Sequence, residues 1–236
     1  MKKIAIVVAL GLALVAPLVA DTLSGSGQVR AEVRKVSGFH SVDMAGAGSL
    51  RLSRGSAYSV TVKLDDNLLP WYVTEVRNDV LMLHFKDGLS IRGNINLVVE
   101  VTMPSLAGLS LSGACEADLG KDFGGKELVI ETSGASKLRG HIDYRSLRLS
   151  MSGSGTARLD GKADALSIKL TGAADVDASA LAAINAAADL SGACHLFVRA
   201  EERLGIEANG ASAVTWYGNA KVDSRTSGAS TIRKGS

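Results

Sequence analysis

The sequence has no excess of charge of either sign. Its formal net charge of +2 is accounted for by Lys2 and Lys3, so the remainder of the chain is neutral. A nucleic-acid or anionic-membrane binder displays a basic field, and the overall balance offers none. Histidine is sparse: His40, His84, His141 and His195 are scattered, and none has ligand spacing to a cysteine or carboxylate cluster. No metal or other cofactor is therefore expected. Cysteine is limited to Cys115 and Cys194, and neither follows the N-terminal apolar run, so a lipid-anchored route has no attachment residue. There is no candidate nucleophilic triad and no long insertion to wall a catalytic cleft. The glycines recur too regularly to be a phosphate-cradling loop.

What is present begins with Met1-Lys-Lys, an apolar run from Ile4 to Ala16, and Pro17-Leu-Val-Ala20. A basic start, a short apolar centre and a small residue at Ala20 describe a secretory signal peptide over residues 1–20, although Leu18 stands where a small residue is preferred. The run is too short to span a bilayer, which takes about 20 apolar residues.

The rest is organised around Leu109-Ser-Leu-Ser-Gly-Ala-Cys115. Its glycine recurs at Gly134, Gly153, Gly172, Gly192, Gly210 and Gly228, in steps of 21, 19, 19, 20, 18 and 18 residues, and an upstream copy contains Gly46. Four and two residues before each glycine the side chains are mostly apolar, as at Leu109 and Leu111, Leu149 and Met151, or Ile168 and Leu170. Polar residues stand between them. A period of two marks a strand with one buried face. A small polar residue precedes each glycine from Gly113 to Gly228, small residues follow it, and another apolar position comes four residues after it.

So short a repeat cannot bury its own apolar face, and neighbouring copies must cover it by stacking. The expected fold is all-β: a β-solenoid, specifically a right-handed parallel β-helix with rungs of 18 to 21 residues, forming one domain over residues 21–236. An antiparallel β-sandwich would explain the alternation, but not the fixed offsets from each glycine. Residues 58–104 carry longer, more aromatic strands, with a hairpin turning at Arg77-Asn-Asp79. They are expected to be a wider early section of the same solenoid. The stretch Ala178 to Ala188 is alanine-rich and fits a narrow side of the solenoid, with one helical turn as the alternative. Residues 21–41 fit a first strand or a cap over the open end.

The order Gly38-Phe-His-Ser-Val42, Ala45-Gly-Ala-Gly48, Tyr58-Ser-Val-Thr-Val62, Asp66-Asn67, Val80-Leu-Met-Leu83, Val99-Glu-Val-Thr-Met-Pro104-Ser-Leu106 and Leu111-Ser-Gly-Ala114 resembles the putative auto-transporter adhesin, head GIN domain family of bacterial secreted proteins. The likeness extends from about Val36 to Ile232. It implies a β-helical fold and an envelope or surface location, and it carries no catalytic residues to transfer.

Candidate chemistry is thin. Cys115 and Cys194 hold the same place four rungs apart, near 19 Å at about 4.8 Å per rung, so they should be unbridged and buried. Asp189 and Glu207 fall in one outward column with a spacing compatible with a retaining glycosidase. Lys169 and Arg225 continue that column, and a solvated mixed-charge ladder explains it better. Asp175 and Asp177 share a face with Thr156 and Arg158 as neighbours. Asp65-Asp66-Asn67 reads as a turn before it reads as a cation site. Phe197 and Tyr217 are expected to face outward on successive rungs, as candidate ligand-binding residues that stack on sugar rings or a partner protein. Trp216 should point inward or close the stack, and the blander role for all three is to plug the final rungs.

These features favour an exported, non-enzymatic β-helix acting as an adhesin or envelope-interaction module, with a surface glycan or envelope protein as partner and no nucleic acid. The alternatives are a polysaccharide-active β-helix enzyme and a structural scaffold that forms a homo-oligomer through the terminal rung at Ser227–Ser236.

Overall fold

A computed structural model describes residues 21–236, and the expected signal peptide lies outside the described residues. The chain opens with β1 (Asp21–Ser24), β2 (Val29–Arg34), β3 (Ser41–Arg54) and β4 (Ser59–Asp65). A 3-10 turn at Leu69–Trp71 leads into β5 (Tyr72–Arg77), β6 (Val80–Phe85), β7 (Leu89–Arg92) and β8 (Val98–Met103). The repeat strands follow as β9 (Gly108–Asp118), β10 (Gly124–Gly134), β11 (Lys137–Gly153), β12 (Thr156–Gly172), β13 (Asp175–Gly192) and β14 (His195–Gly210). Three short strands end the chain: β15 (Ala213–Tyr217), β16 (Lys221–Thr226) and β17 (Thr231–Lys234).

From β9 onward the strands stack in parallel, and the corner glycines lie over one another. Gly46 pairs with Gly113, Gly113 with Gly134, and the ladder continues through Gly153, Gly172 and Gly192 to Gly210. The amide of Ala229 donates to the Gly210 carbonyl at 2.7 Å, which adds the corner at Gly228. This is the β-solenoid, and the facing-sheet alternative is excluded.

Glycine is required at these corners for two reasons, both visible at Gly172. Its φ of +95° is a left-handed conformation, and a Cβ there would lie 2.7 Å from the Gly153 carbonyl oxygen on the rung before.

The side chains sort as the alternation demands. Val42, Leu109, Ile130, Leu149, Ile168, Ala188 and Ile206 form one buried column, and Leu50, Ala117, Leu138, Ala157, Val176, Leu196 and Val214 form another across the corner. Cys115 and Cys194 are buried and unbridged in the column two places after the glycine. Ser136 and Ser212 share that column. Ser212 Oγ donates to the carbonyls of Asn209 (3.2 Å) and Gly192 (3.1 Å), and Cys194 Sγ makes longer contacts with the equivalent carbonyls of Ser191 (3.7 Å) and Gly172 (3.6 Å). Where the column carries serine or cysteine, the side chain thus ties the corner to its own rung and to the preceding one, whereas Gly155 and Ala174 fill the same place without a side-chain donor.

The alanine-rich stretch is strand throughout, inside β13, and not a helical turn. Its register against β14 slips between Ala178 and Ala182 and again between Ala183 and Asn185, which absorbs the longer rung. Ala178, Ala183, Ala186 and Ala188 are buried, so small side chains make a narrow side.

Residues 58–104 depart from the expected winding. β4 runs antiparallel to both β8 and β2, and β5 runs antiparallel to β6. Residues 55–58 turn the chain back on itself, unlike the two-residue corners of the regular rungs, such as residues 154–155 between β11 and β12, across which the chain carries on round the coil. Asn78 (φ 49°) and Asp79 (φ 62°) supply the tight hairpin turn between β5 and β6. β6 and β8 then return parallel to the two halves of β3, and β9 joins the other side of β3. The segment is therefore a mixed cap built on the first rung rather than a wider stretch of coil. β2 is the outermost strand of that end.

Candidate binding groove

Beyond the corner, the outward positions of successive rungs form two columns. One runs Glu116, Lys137, Thr156, Asp175, His195, and the other Asp118, Arg139, Arg158, Asp177, Phe197, Thr215. Between these columns lies a groove of about 460 Å³ floored by Ala117, Leu138 and Ala157. A second depression of about 520 Å³ shares Arg139, Arg158 and Asp177 with it and continues past His141 and Asp160.

The electrostatics of this face are only partly self-satisfied. Arg139 forms a two-pronged pair with Asp118, with Nε and one terminal nitrogen both 2.9 Å from Oδ2. Asp177 Oδ1 accepts from the Ser179 hydroxyl at 2.6 Å and its amide at 3.1 Å, which fixes the carboxylate. Lys137 and Arg158 have no ion-pair partner within 4.0 Å among the described residues. They offer free donors beside fixed acceptors, with the half-buried ring of Phe197 at the end.

Phe197 and Tyr217 are not brought into one site. Phe197 lines the groove between Asp177 and Thr215. Tyr217 pairs instead with Arg199, one column further along, and its ring lies against Gly235. Trp216 packs against the end of the core with Lys234 Nζ 4.7 Å from its ring centre.

The other candidates are separate. Asp189 and Glu207 are register partners in a ladder that continues to Lys169 and Arg225, and Glu207 pairs with Arg225 at 3.5 Å with both side chains well exposed. Asp65, Asp66 and Asn67 form a turn that ties down residues 24–27: Ser26 Oγ donates to Asp66 (2.6 Å), the Gly27 amide to Asp65 (2.7 Å), and Asn67 Nδ2 to the Ser24 carbonyl (2.8 Å). Among the described residues no three His, Cys, Asp or Glu side chains are grouped to hold a metal ion. Lys137 as a groove residue was missed in the sequence. The signal was there, in its fixed offset of three from Gly134, but an outward charged residue looks the same whether it edges a groove or merely faces water.

Fold and groove together define a β-solenoid repeat protein with a lateral, open-faced groove. The family described as putative auto-transporter adhesin, head GIN domain, matches residues 38–220, and the chain belongs to it. Among solved structures, a putative adhesin from Bacteroides fragilis NCTC 9343 superposes with a TM-score of 0.85 at 19% identity, covering 90% of this chain and 99% of that one. A putative lipid binding protein from Parabacteroides distasonis ATCC 8503 gives 0.76 at 18% identity, over 92% and 100% of the two chains. A putative adhesin from Parabacteroides merdae ATCC 43184 gives 0.70 at 18% identity, again over 92% and 100%. At these identities the likeness concerns the fold. No curated protein matches the chain.

Proposed function

We propose that this protein is an exported, non-enzymatic binding module of the bacterial envelope that recognises a surface glycan through the groove edged by Lys137, Arg158, Asp177 and Phe197. The observation that carries the reading is the juxtaposition of an aromatic ring with free donors and fixed carboxylate acceptors on a rigid sheet. Sugar rings present an apolar face and a rim of hydroxyls, and such a surface offers a partner for each. Export rests on the basic-apolar leader in the sequence and accords with the family's adhesin description.

The test is a binding screen of the leaderless protein against bacterial glycans, envelope proteins and lipid vesicles. Glycan binding that drops about fivefold or more in Phe197→Ser, with unchanged circular dichroism, supports the reading, since a stacked ring contributes on the order of 1 kcal/mol or more. Binding that is indifferent to Phe197 and to Arg158→Ala removes the groove. Release of reducing sugar from a bound polysaccharide would replace the adhesin reading with an enzymatic one.

A further inference from the structure

The cap ends in β2, whose sequence is Val29-Arg-Ala-Glu-Val-Arg34. Among the described residues it pairs with β4 on one side only. Its other edge carries Val29, 51% exposed, and Val33, 68% exposed, the two largest exposures of a large apolar side chain among the described residues. Edge strands are ordinarily blunted against pairing, and an open edge with protruding valines is the opposite arrangement.

The orientation of the backbone follows from one hydrogen bond. The Gln28 carbonyl accepts from the Asp66 amide at 2.9 Å, so Gln28 turns its peptide groups toward β4. Because these directions alternate along a strand, Arg30, Glu32 and Arg34 also face β4, while Val29, Ala31 and Val33 present theirs at the open edge.

We infer that β2 is a homodimerisation edge, pairing antiparallel with β2 of a second copy about a two-fold axis through Ala31. In that register Ala31 lies opposite the partner's Ala31, and Val29 opposite the partner's Val33. All of these residues have outward peptide groups, as an antiparallel hydrogen-bonded ladder demands. The same register sets Arg30 opposite the partner's Glu32 on the other face, twice by symmetry. One six-residue segment thus matches itself in hydrogen bonding, apolar contact and charge, the self-complementarity that a two-fold interface needs. Shifting the register by two residues in either direction centres the axis on Arg30 or on Glu32 and sets that residue opposite its own copy, so like charges meet and the opposed Arg30 and Glu32 are lost.

The opposite end of the solenoid lacks this match. β16 and β17 carry Lys221, Arg225, Arg233 and Lys234 against the single acid Asp223, so self-pairing there would oppose like charges. Six residues of strand make a small interface, so the association should be concentration-dependent.

The test uses sedimentation equilibrium on the chain beginning at Asp21, from micromolar to sub-millimolar concentration, and on the full chain. The expected result is a mass that doubles as concentration rises. Arg30→Glu should abolish the dimer by facing two pairs of acids, and Arg30→Glu with Glu32→Arg should restore it. Ala31→Cys should give a reducible covalent dimer under mild oxidation, because paired Cα atoms about 5.5 Å apart are within disulfide reach. Val33→Cys should not, since two copies of residue 33 would be roughly 14 Å apart. The native Cys115 and Cys194 are buried and do not compete. A monomer at every concentration overturns the inference. So does a dimer that ignores both charge substitutions, which would point to the β16–β17 end, or one seen only when residues 1–20 are present.

Discussion

Gly46 and Gly172 occupy the same corner of the solenoid, yet only Gly172 has a backbone carbonyl where a side chain would go. A Cβ on Gly46 meets nothing within 4 Å, because Gly46 stands at the head of the glycine ladder. Both residues have positive φ, 110° and 95° respectively. Gly46→Ala should therefore incur backbone strain alone, on the order of 1–2 kcal/mol. Gly172→Ala adds a clash with Gly153 that only a shift between rungs can relieve, and should cost more than about 4 kcal/mol. Urea unfolding of the two variants measures the difference, and equal losses would mean that conformation alone selects glycine at this corner.

Cys115 should be inert in the native protein. Burial raises its thiol pKa from 9.0 to about 11, an effect that the backbone hydrogen bond involving Ser112 only partly offsets. A raised folded pKa means that its contribution to stability is complete below about pH 9 and is lost as pH climbs through about 11. At pH 8 iodoacetamide should label Cys115 only at the rate of unfolding, and rapidly in denaturant. Fast labelling of the folded protein would show that the corner opens locally.

The column that contains Cys194 and Ser212 holds only small side chains, Gly155 and Ala174 among them. Cys194→Ser should change stability by less than about 1 kcal/mol, because a hydroxyl already makes the same pair of contacts at Ser212. Ser212→Ala removes the one hydroxyl proton shared between the Gly192 and Asn209 carbonyls and should cost about 1 kcal/mol, while Cys194→Leu should cost more by overpacking the corner. Thermal unfolding ranks the three. A well-tolerated leucine would show the column to be loosely packed.

Acid should loosen the cap near Glu100. The hydrogen bond from Lys63 Nζ, at 2.7 Å, is the main cause holding the Glu100 carboxyl below its ordinary pKa, with Arg51 assisting at 3.5 Å. A lowered folded pKa gives stability that is present above the unfolded value and lost as pH falls through the folded one. Lys63→Met should move the acid-unfolding midpoint upward, and only slightly, because the pair is partly exposed and screened by salt. A variant titration coincident with that of the parent protein would leave the pair without effect.

The regular rungs were legible in the sequence because each position answers to one constraint. An inward side chain such as Leu149 or Ile168 must be apolar, and a corner residue such as Gly172 must lack a Cβ. The cap was legible only in part. Asn78-Asp79 announced the hairpin, but the order in which β8 slips between β3 and β4 depends on pairings distant in the chain, which no local pattern records. The groove was the least visible. Phe197 could be placed on an outward position by counting from Gly192, whereas its separation from Tyr217 depended on Gly235 lying against the tyrosine ring.

The in-register match of β11 to β12 carries a consequence for length. Residues 137–153 lie over 156–172 with glycine upon glycine, so the intervening step is a closed unit whose two ends are equivalent. Duplicating residues 154–172 would insert a further rung without changing any side chain's facing, lengthening the molecule by about 4.8 Å. The reach of such a protein from its cap to its far end can be altered by whole-unit gain or loss, and natural variants should differ in extent by multiples of that increment.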